Sequence, residues 1–245
     1  MKPQTILNRT SLMLIKYHIP SRSLTGCRKP AYGPHEAPII MEHIEALLHN
    51  EWIEKCGGPW GSMIVLAPKP HQESVTDIKD FIWRICVSYR RLNSINELFE
   101  FPIPQCDDAV TVLGIQTGED LFFISLDAKQ GYHQILVRKE DRQKLAFFAP
   151  DGNKYTFRVM PFGPTNAPGF YTCMMGEFKD DWETLFMEIV SKTDTLKGQQ
   201  LKLINDNQIE CAGRQVQVGS KVIIDDILLY STNMDVLLIY LECVC

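Results

Sequence analysis

The chain has 245 residues, 45% hydrophobic and 22% charged, ordinary proportions for a globular protein with a sizeable core. Its 25 Lys and Arg against 30 Asp and Glu leave a net charge of −5, so any nucleic-acid binding must rest on a local basic surface. No run approaches about 18 apolar residues, so no membrane-spanning helix is expected. The opening MKPQTILNRT lacks the apolar stretch of a secretory signal. Eight cysteines form no CxxC pair, which fits free thiols in a reducing compartment and a cytoplasmic location. Six histidines form no HExxH or HxxxH array, so a histidine-bound metal is not expected.

Residues 1–34 are polar and proline-punctuated, and read as an extended lead-in. Ile40, Ile44, Leu47, Leu48 and Trp52 follow helical spacing and place a helix over 36–50. CGGPWGS (56–62) is a loop, MIVLAPKP (63–70) a strand, 71–80 a polar turn, and FIWRICVSY (81–89) a second strand forming a hairpin with the first. LFFISLD (121–127) reads as a buried strand, followed by a polar break and a shorter apolar run. KLAFFAPDGNKYTFRVM (144–160) is a hairpin turning at Pro150-Asp151-Gly152-Asn153. A helix begins near Thr165 or Asn166, and residues 191–219 are polar with little periodicity apart from RQVQV. MDVLLIYLECVC (234–245) is an apolar helix within which the chain stops, and truncation is the expectation drawn from that. Hairpins with a few helices, without alternating βα units, indicate an α+β fold.

VIIDDILLYS (222–231) sets two aspartates between apolar runs and reads as a tight hairpin with Asp225 and Asp226 at its tip. Such a pair is ordinarily a surface turn, because aspartate is a good turn residue. A third carboxylate, Asp127, stands at the end of the apolar FFISL run. If the two elements are neighbours in one sheet, three carboxylates converge at its end. An oxygen-only set suits Mg²⁺, and two such ions about 3.5–4 Å apart serve phosphoryl transfer.

The flanking segments decide between these readings. SLDAKQGYHQI (125–135) resembles the first catalytic segment of reverse transcriptases, especially those of gypsy-type long-terminal-repeat retrotransposons. KLAFFAPDGNKYTFRVMPFGPTNAP (144–168), WRICVSYRRLN (83–93), GPWGSMIVLAPKP (58–70) and FPIPQCDDAV (101–110) are similar to further segments of that family, in its order, and VIIDDILLYS falls at its aspartate-pair hairpin. The resemblance implies a right-hand polymerase with interleaved fingers and palm. It further implies an RNA-directed DNA polymerase in which Asp127, Asp225 and Asp226 hold two Mg²⁺, with Mn²⁺ possible. It implies a nucleotide site of Lys69, Arg84, Gln130, Gly131, Tyr132, Phe162 and Gly163. In that site Arg84 clamps the triphosphate, the Gln130 and Gly131 amides donate to it, and Tyr132 walls off the ribose 2′-hydroxyl. Arg90, Arg91, Arg138, Lys139, Arg142, Lys144, Lys154 and Arg158 supply the local positive surface that the acidic total demands. The implied partners are an RNA or DNA primer–template, deoxynucleoside triphosphates and the rest of a retroelement polyprotein, with thumb, RNase H and integrase.

Five features depart from the family's pattern. Ile223 stands where an aromatic is usual, Ser88 where an aspartate is usual, and Pro164 where a leucine is common. The stretch 177–220 is longer than the family's link by roughly twenty residues and reads as a surface insertion, which loops tolerate. Ending at Cys245 precedes the rest of the palm and the thumb, so weak or non-processive synthesis is the expectation for the chain alone. Three rival readings remain: a decayed fragment without activity, a non-catalytic nucleic-acid-binding module, and a metal-dependent nuclease.

Overall fold

In the computed structural model the described residues are 30–68, 82–98, 101–102, 120–192, 195–196, 199–205 and 207–245. The chain divides into two compact units interleaved in sequence. The first draws on residues up to Phe99 and on Gln130–Phe170, the second on Glu100–Lys129 and Tyr171–Cys245. Helices mix with sheets whose named strand pairs are all antiparallel, so the fold is α+β.

The first unit opens with helix α1 (Glu36–His49), which buries Ile40 and Ile44 one turn apart. It packs on β1 (Ile53–Lys55) and β3 (Trp83–Ser88). Strand β2 (Met63–Pro68) pairs with β3 from Met63↔Ser88 to Pro68↔Trp83, as the sequence led one to expect; the turn expected over 71–80 lies outside the described residues. The short helix α2 (Arg90–Asn93) follows β3. Residues 131–134 form one 3₁₀ turn, and helix α3 (Lys139–Arg142) follows. Strands β5 (Phe147–Phe148) and β6 (Lys154–Phe157) make the expected hairpin, and β6 also pairs with β1. Asp151 closes its turn, accepting from the Asn153 amide at 2.9 Å and from the Tyr155 hydroxyl at 2.9 Å. These bonds and the nearby Lys55 charge hold the Asp151 carboxyl below its usual pKa, more than offsetting its desolvation.

The second unit is built on a six-stranded sheet in the order β4-β11-β10-β9-β8-β7. Its strands are β4 (Phe122–Asp127), β7 (Thr195–Leu196), β8 (Gln199–Asn205), β9 (Gln208–Cys211), β10 (Arg214–Ile223) and β11 (Asp226–Ser231). Two expectations fail here. The polar stretch 191–219, expected to be irregular apart from RQVQV, is largely strand: β7, β8, β9 and the first residues of β10 extend the sheet. Strand β4 is not buried: it is an edge strand, with Phe123, Ser125 and Asp127 exposed and the alternate residues half-covered. Helix α4 (Ala167–Lys192) begins where the sequence placed it and turns Tyr171, Met175, Trp182 and Phe186 inward along one face. Helix α5 (Met234–Val244) is capped by Asn233, whose side chain accepts from the Val236 amide at 3.1 Å, and it packs on β11 and β4.

Gly219 faces Tyr230 across β10 and β11. A Cβ there would sit 2.5 Å from the Tyr230 hydroxyl and 2.7 Å from the ring carbon bearing it. Gly219→Ala is therefore expected to cost about 1–3 kcal/mol, read by thermal unfolding. The penalty should largely disappear in a Tyr230→Leu background; an equal penalty in both backgrounds would refute the steric account.

Candidate active site

Asp127 ends β4 and Asp226 begins β11, and the ladder pairs them directly. On the other side of β11, Asp226 pairs with Ile223 of β10, so the hairpin turn consists of Ile224 and Asp225. The expected hairpin is present, but its tip is displaced by one residue, and Asp226 is a strand residue. Ile224 takes the left-handed φ of +54°, a conformation a β-branched side chain adopts only under strain. That turn brings Asp225 to the same sheet end, and its carbonyl accepts from the Ala128 amide at 3.0 Å. A ladder bond thus ties the residue after Asp127 to the turn that holds Asp225.

Asp127 and Asp226 are exposed, whereas Asp225 is half-buried with one buried oxygen, Oδ1, that makes no hydrogen bond among the described residues. Desolvation raises the Asp225 carboxyl above its usual pKa, and the charges of Asp127 and Asp226 push the same way. The nearby Tyr171 hydroxyl opposes them in part. As placed, no three His, Cys, Asp or Glu side chains among the described residues form a metal-binding group. Even so, an all-oxygen donor set with an unsatisfied buried lone pair matches the needs of a small hard cation.

The expected nucleotide residues that the structure describes belong to the first unit, apart from Lys69, which lies outside the described residues. Arg84 is exposed on β3, opposite Ala67. Gln130 is exposed at a left-handed φ of +54°, and Gly131 is buried. Tyr132 is only 7% exposed, because its ring packs under Phe162 with centroids 4.6 Å apart. The ring that meets solvent is Phe162, at 57%. The open wall expected at Tyr132 is therefore a covered one. Gly163 holds φ at +108° and lies against the Val87 carbonyl and the Tyr89 ring, where a Cβ would be tight at 3.2–3.3 Å. Asn93 fastens the same loop, donating to the Gly163 carbonyl at 2.9 Å and accepting from the Thr165 amide at 3.0 Å.

The positive surface is smaller than the sequence implied, since at least five of the eight cations have partners among the described residues. Arg142 meets Glu54 at 3.1 Å, Lys144 meets Asp141 at 2.5 Å, and Arg138 meets Glu140 at 3.8 Å. Arg158 lies 3.8 Å from Glu54 and 3.9 Å from Glu51. Lys154 donates to the carbonyls of Gly58 and Trp60. Glu54 is 88 residues from Arg142, so sequence spacing carried no sign of this neutralisation. Sequence reasoning also missed His133, which stacks flat on Trp52.

The profile of the family described as reverse transcriptase (RNA-dependent DNA polymerase) matches residues 78–245. The chain belongs to this family. It is 31% identical over 146 residues to the Retrovirus-related Pol polyprotein from transposon 297 of Drosophila melanogaster, covering 59% of this chain and 13% of that protein. It is 28% identical over 174 residues to the Pol polyprotein from transposon opus of the same organism, covering 67% and 16%. To the Transposon Tf2-3 polyprotein of Schizosaccharomyces pombe it is 29% identical over 156 residues, covering 57% and 11%. The chain thus spans about a sixth or less of the length of these curated relatives. Among the described residues no helix is long and apolar enough to cross a membrane.

Proposed function

We propose that this chain is the fingers–palm portion of an RNA-directed DNA polymerase from a gypsy-type retroelement. It extends a primer 3′-hydroxyl with deoxynucleotides on an RNA or DNA template. The observation that carries this reading is the Asp127–Asp226 rung with Asp225 in the adjoining turn, within a chain of this family. The first unit would be the fingers and the second the palm.

Asp127, Asp225 and Asp226 would hold divalent ions, two Mg²⁺ or else Mn²⁺. Bound there, such ions lower the pKa of an attacking hydroxyl and neutralise charge on a triphosphate. The carboxylates' own part is to stay ionised and at one sheet end. Arg84 would offer a planar fork of donors to the triphosphate oxygens, and the Gln130 and Gly131 amides would donate to the same group. Phe162 and Gly163, backed by Tyr132, would bound the incoming nucleotide. The rest of the element, including thumb, RNase H and integrase, would accompany the chain in one cytoplasmic polyprotein; the polyprotein part of this reading is supported by the relatives' names, which are those of Pol polyproteins.

The test uses the full open reading frame that carries this chain, on a primed homopolymer RNA template with deoxynucleotides and Mg²⁺. Incorporation is expected from the parent and not from the Asp225→Asn/Asp226→Asn double variant. Equal incorporation by both would remove the proposed site. Template binding without incorporation in either would mark a binding module.

A further inference from the structure

A phenylalanine that is 57% exposed keeps a fixed orientation only if other groups hold its ring. Phe162 is held from two sides. Tyr132 packs against it at 4.6 Å and 32°, and the His133 ring meets it edge-on at 5.5 Å and 70°. His133 is in turn stacked on Trp52 at 4.5 Å and 11°, with Phe157 flanking at 6.4 Å. The rings form a supported column whose outer member is Phe162.

The backbone fixes the column's base. The Arg158 amide donates to the Trp52 carbonyl at 2.8 Å, the Met160 amide to the Ile135 carbonyl at 2.8 Å, and the His133 amide to the Gln130 carbonyl at 2.9 Å. The imidazole behaves here as a neutral aromatic ring. Burial pulls its pKa down to about 4, and its Nδ1 is buried without a hydrogen bond among the described residues. Such an environment suits ring stacking and ill suits a proton carrier or a metal ligand.

We propose that His133, seated on Trp52, is a positioning residue for Phe162, and through it sets how the incoming nucleotide's sugar is held and a ribose rejected. This rests on the polymerase reading above, which places the nucleotide against Phe162. It adds two residues, Trp52 and His133, neither of which touches the nucleotide. A flat ring at position 133 is what the role requires, since the contacts to Trp52 and Phe162 are ring contacts.

Single-nucleotide incorporation by the full open reading frame, with dTTP and with UTP, separates the outcomes. His133→Ala and Trp52→Ala are each expected to raise KM for dTTP roughly fivefold and to narrow the preference for dTTP over UTP by a similar factor. Turnover at saturating dTTP should stay within about threefold of the parent. His133→Phe, which keeps a flat ring, should restore both KM and preference. A merely structural role would reduce the amount of active enzyme, and hence apparent turnover, with KM and preference unmoved; that result overturns the proposal. So does a His133→Phe variant as impaired in KM and preference as His133→Ala. The Asp225→Asn/Asp226→Asn variant runs beside them. A parent no more active than that control defeats the polymerase reading and this proposal together, whereas an active parent with unmoved KM in His133→Ala defeats only the latter.

Discussion

Asp225→Asn is expected to lower nucleotide incorporation at least about a thousandfold while leaving the fold as stable as the parent or slightly more so. The two halves of this expected result have one cause. Asp225 carries a half-buried carboxylate with an unsatisfied oxygen, and its neighbours in the site are two further acids. Its pKa is raised in the fold, so ionising this carboxyl is harder in the folded chain than in the unfolded one. Above the folded pKa the ionised group therefore costs stability, and the cost fades as pH falls through that value. Asparagine mimics the neutral acid at every pH. A Tm gain of roughly 1–3 °C at neutral pH, shrinking in mildly acid buffer, is the expected calorimetric signature. Added Mg²⁺ should raise the parent's Tm and not the variant's, closing the gap. Asp127→Asn and Asp226→Asn, both at exposed positions, should abolish incorporation with Tm essentially unmoved. A fall in Tm of more than about 5 °C in Asp225→Asn would mean that this carboxylate serves the fold and that the charge argument is wrong.

Local pattern made some of this legible and hid the rest for identifiable reasons. Helix α1, the β2–β3 and β5–β6 hairpins and the start of α4 announce themselves through apolar spacing and turn residues that act within a few positions. The aspartate hairpin was recognisable, but its register was not. Two aspartates look like the natural break between apolar runs, yet pairing Ile223 with Asp226 requires Ile224 to enter the turn at positive φ, where sequence propensity would not put an isoleucine. Strands β8 and β9 escaped because they lie towards the far edge of a sheet and are short: β9 alternates over only four residues, and in β8 Ile204 follows Leu203 and breaks the alternation of Leu201 and Leu203. The basic surface was overestimated in part because Glu51 and Glu54, which meet Arg142 and Arg158, are far away in sequence; Glu140 and Asp141, beside Arg138 and Lys144, are local. Tyr132 was expected to face the nucleotide because an aromatic at that place is a family trait, while its burial under Phe162 is a tertiary fact. The partners of Arg142 and Arg158 and the cover over Tyr132 depend on contacts between distant segments, whereas the hairpin register turns on a local conformation that propensity disfavours.

The largest stability effect is expected from a residue with no part in the chemistry, Ser220, five positions before Asp225 on β10. Its side chain is 4% exposed and lies within a cluster joining α4, β10 and α5. It donates to Glu183 at 3.0 Å and accepts from the Tyr240 hydroxyl at 3.1 Å and the Trp182 indole at 3.4 Å. Glu183 keeps its charge satisfied at the edge of this cluster by pairing with Lys179 at 2.7 Å. Burial raises the Tyr240 hydroxyl's pKa, so the phenol remains a donor at any ordinary assay pH. Ser220→Val puts two methyl groups in place of the hydroxyl through which three groups are joined, one heavy atom more than serine has. The Trp182 N–H loses its acceptor, Glu183 loses a donor, and Tyr240 retains only its 3.2 Å contact to Glu183. Unsatisfied buried groups in a shared network cost more than isolated ones, and about 2–3 kcal/mol is expected, a fall in Tm of roughly 5–10 °C. Tyr240→Phe leaves the Ser220–Glu183 bond in place and should cost about 1 kcal/mol. The double variant should fall short of the sum, because both changes remove the same Tyr240–Ser220 bond. Incorporation measured well below the variant's Tm should drop less than tenfold, since the β10–β11 ladder still presents Asp225 and Asp226 from a paired hairpin. A Tm unchanged in Ser220→Val, or strict additivity in the double variant, would show that the cluster does not act as one unit.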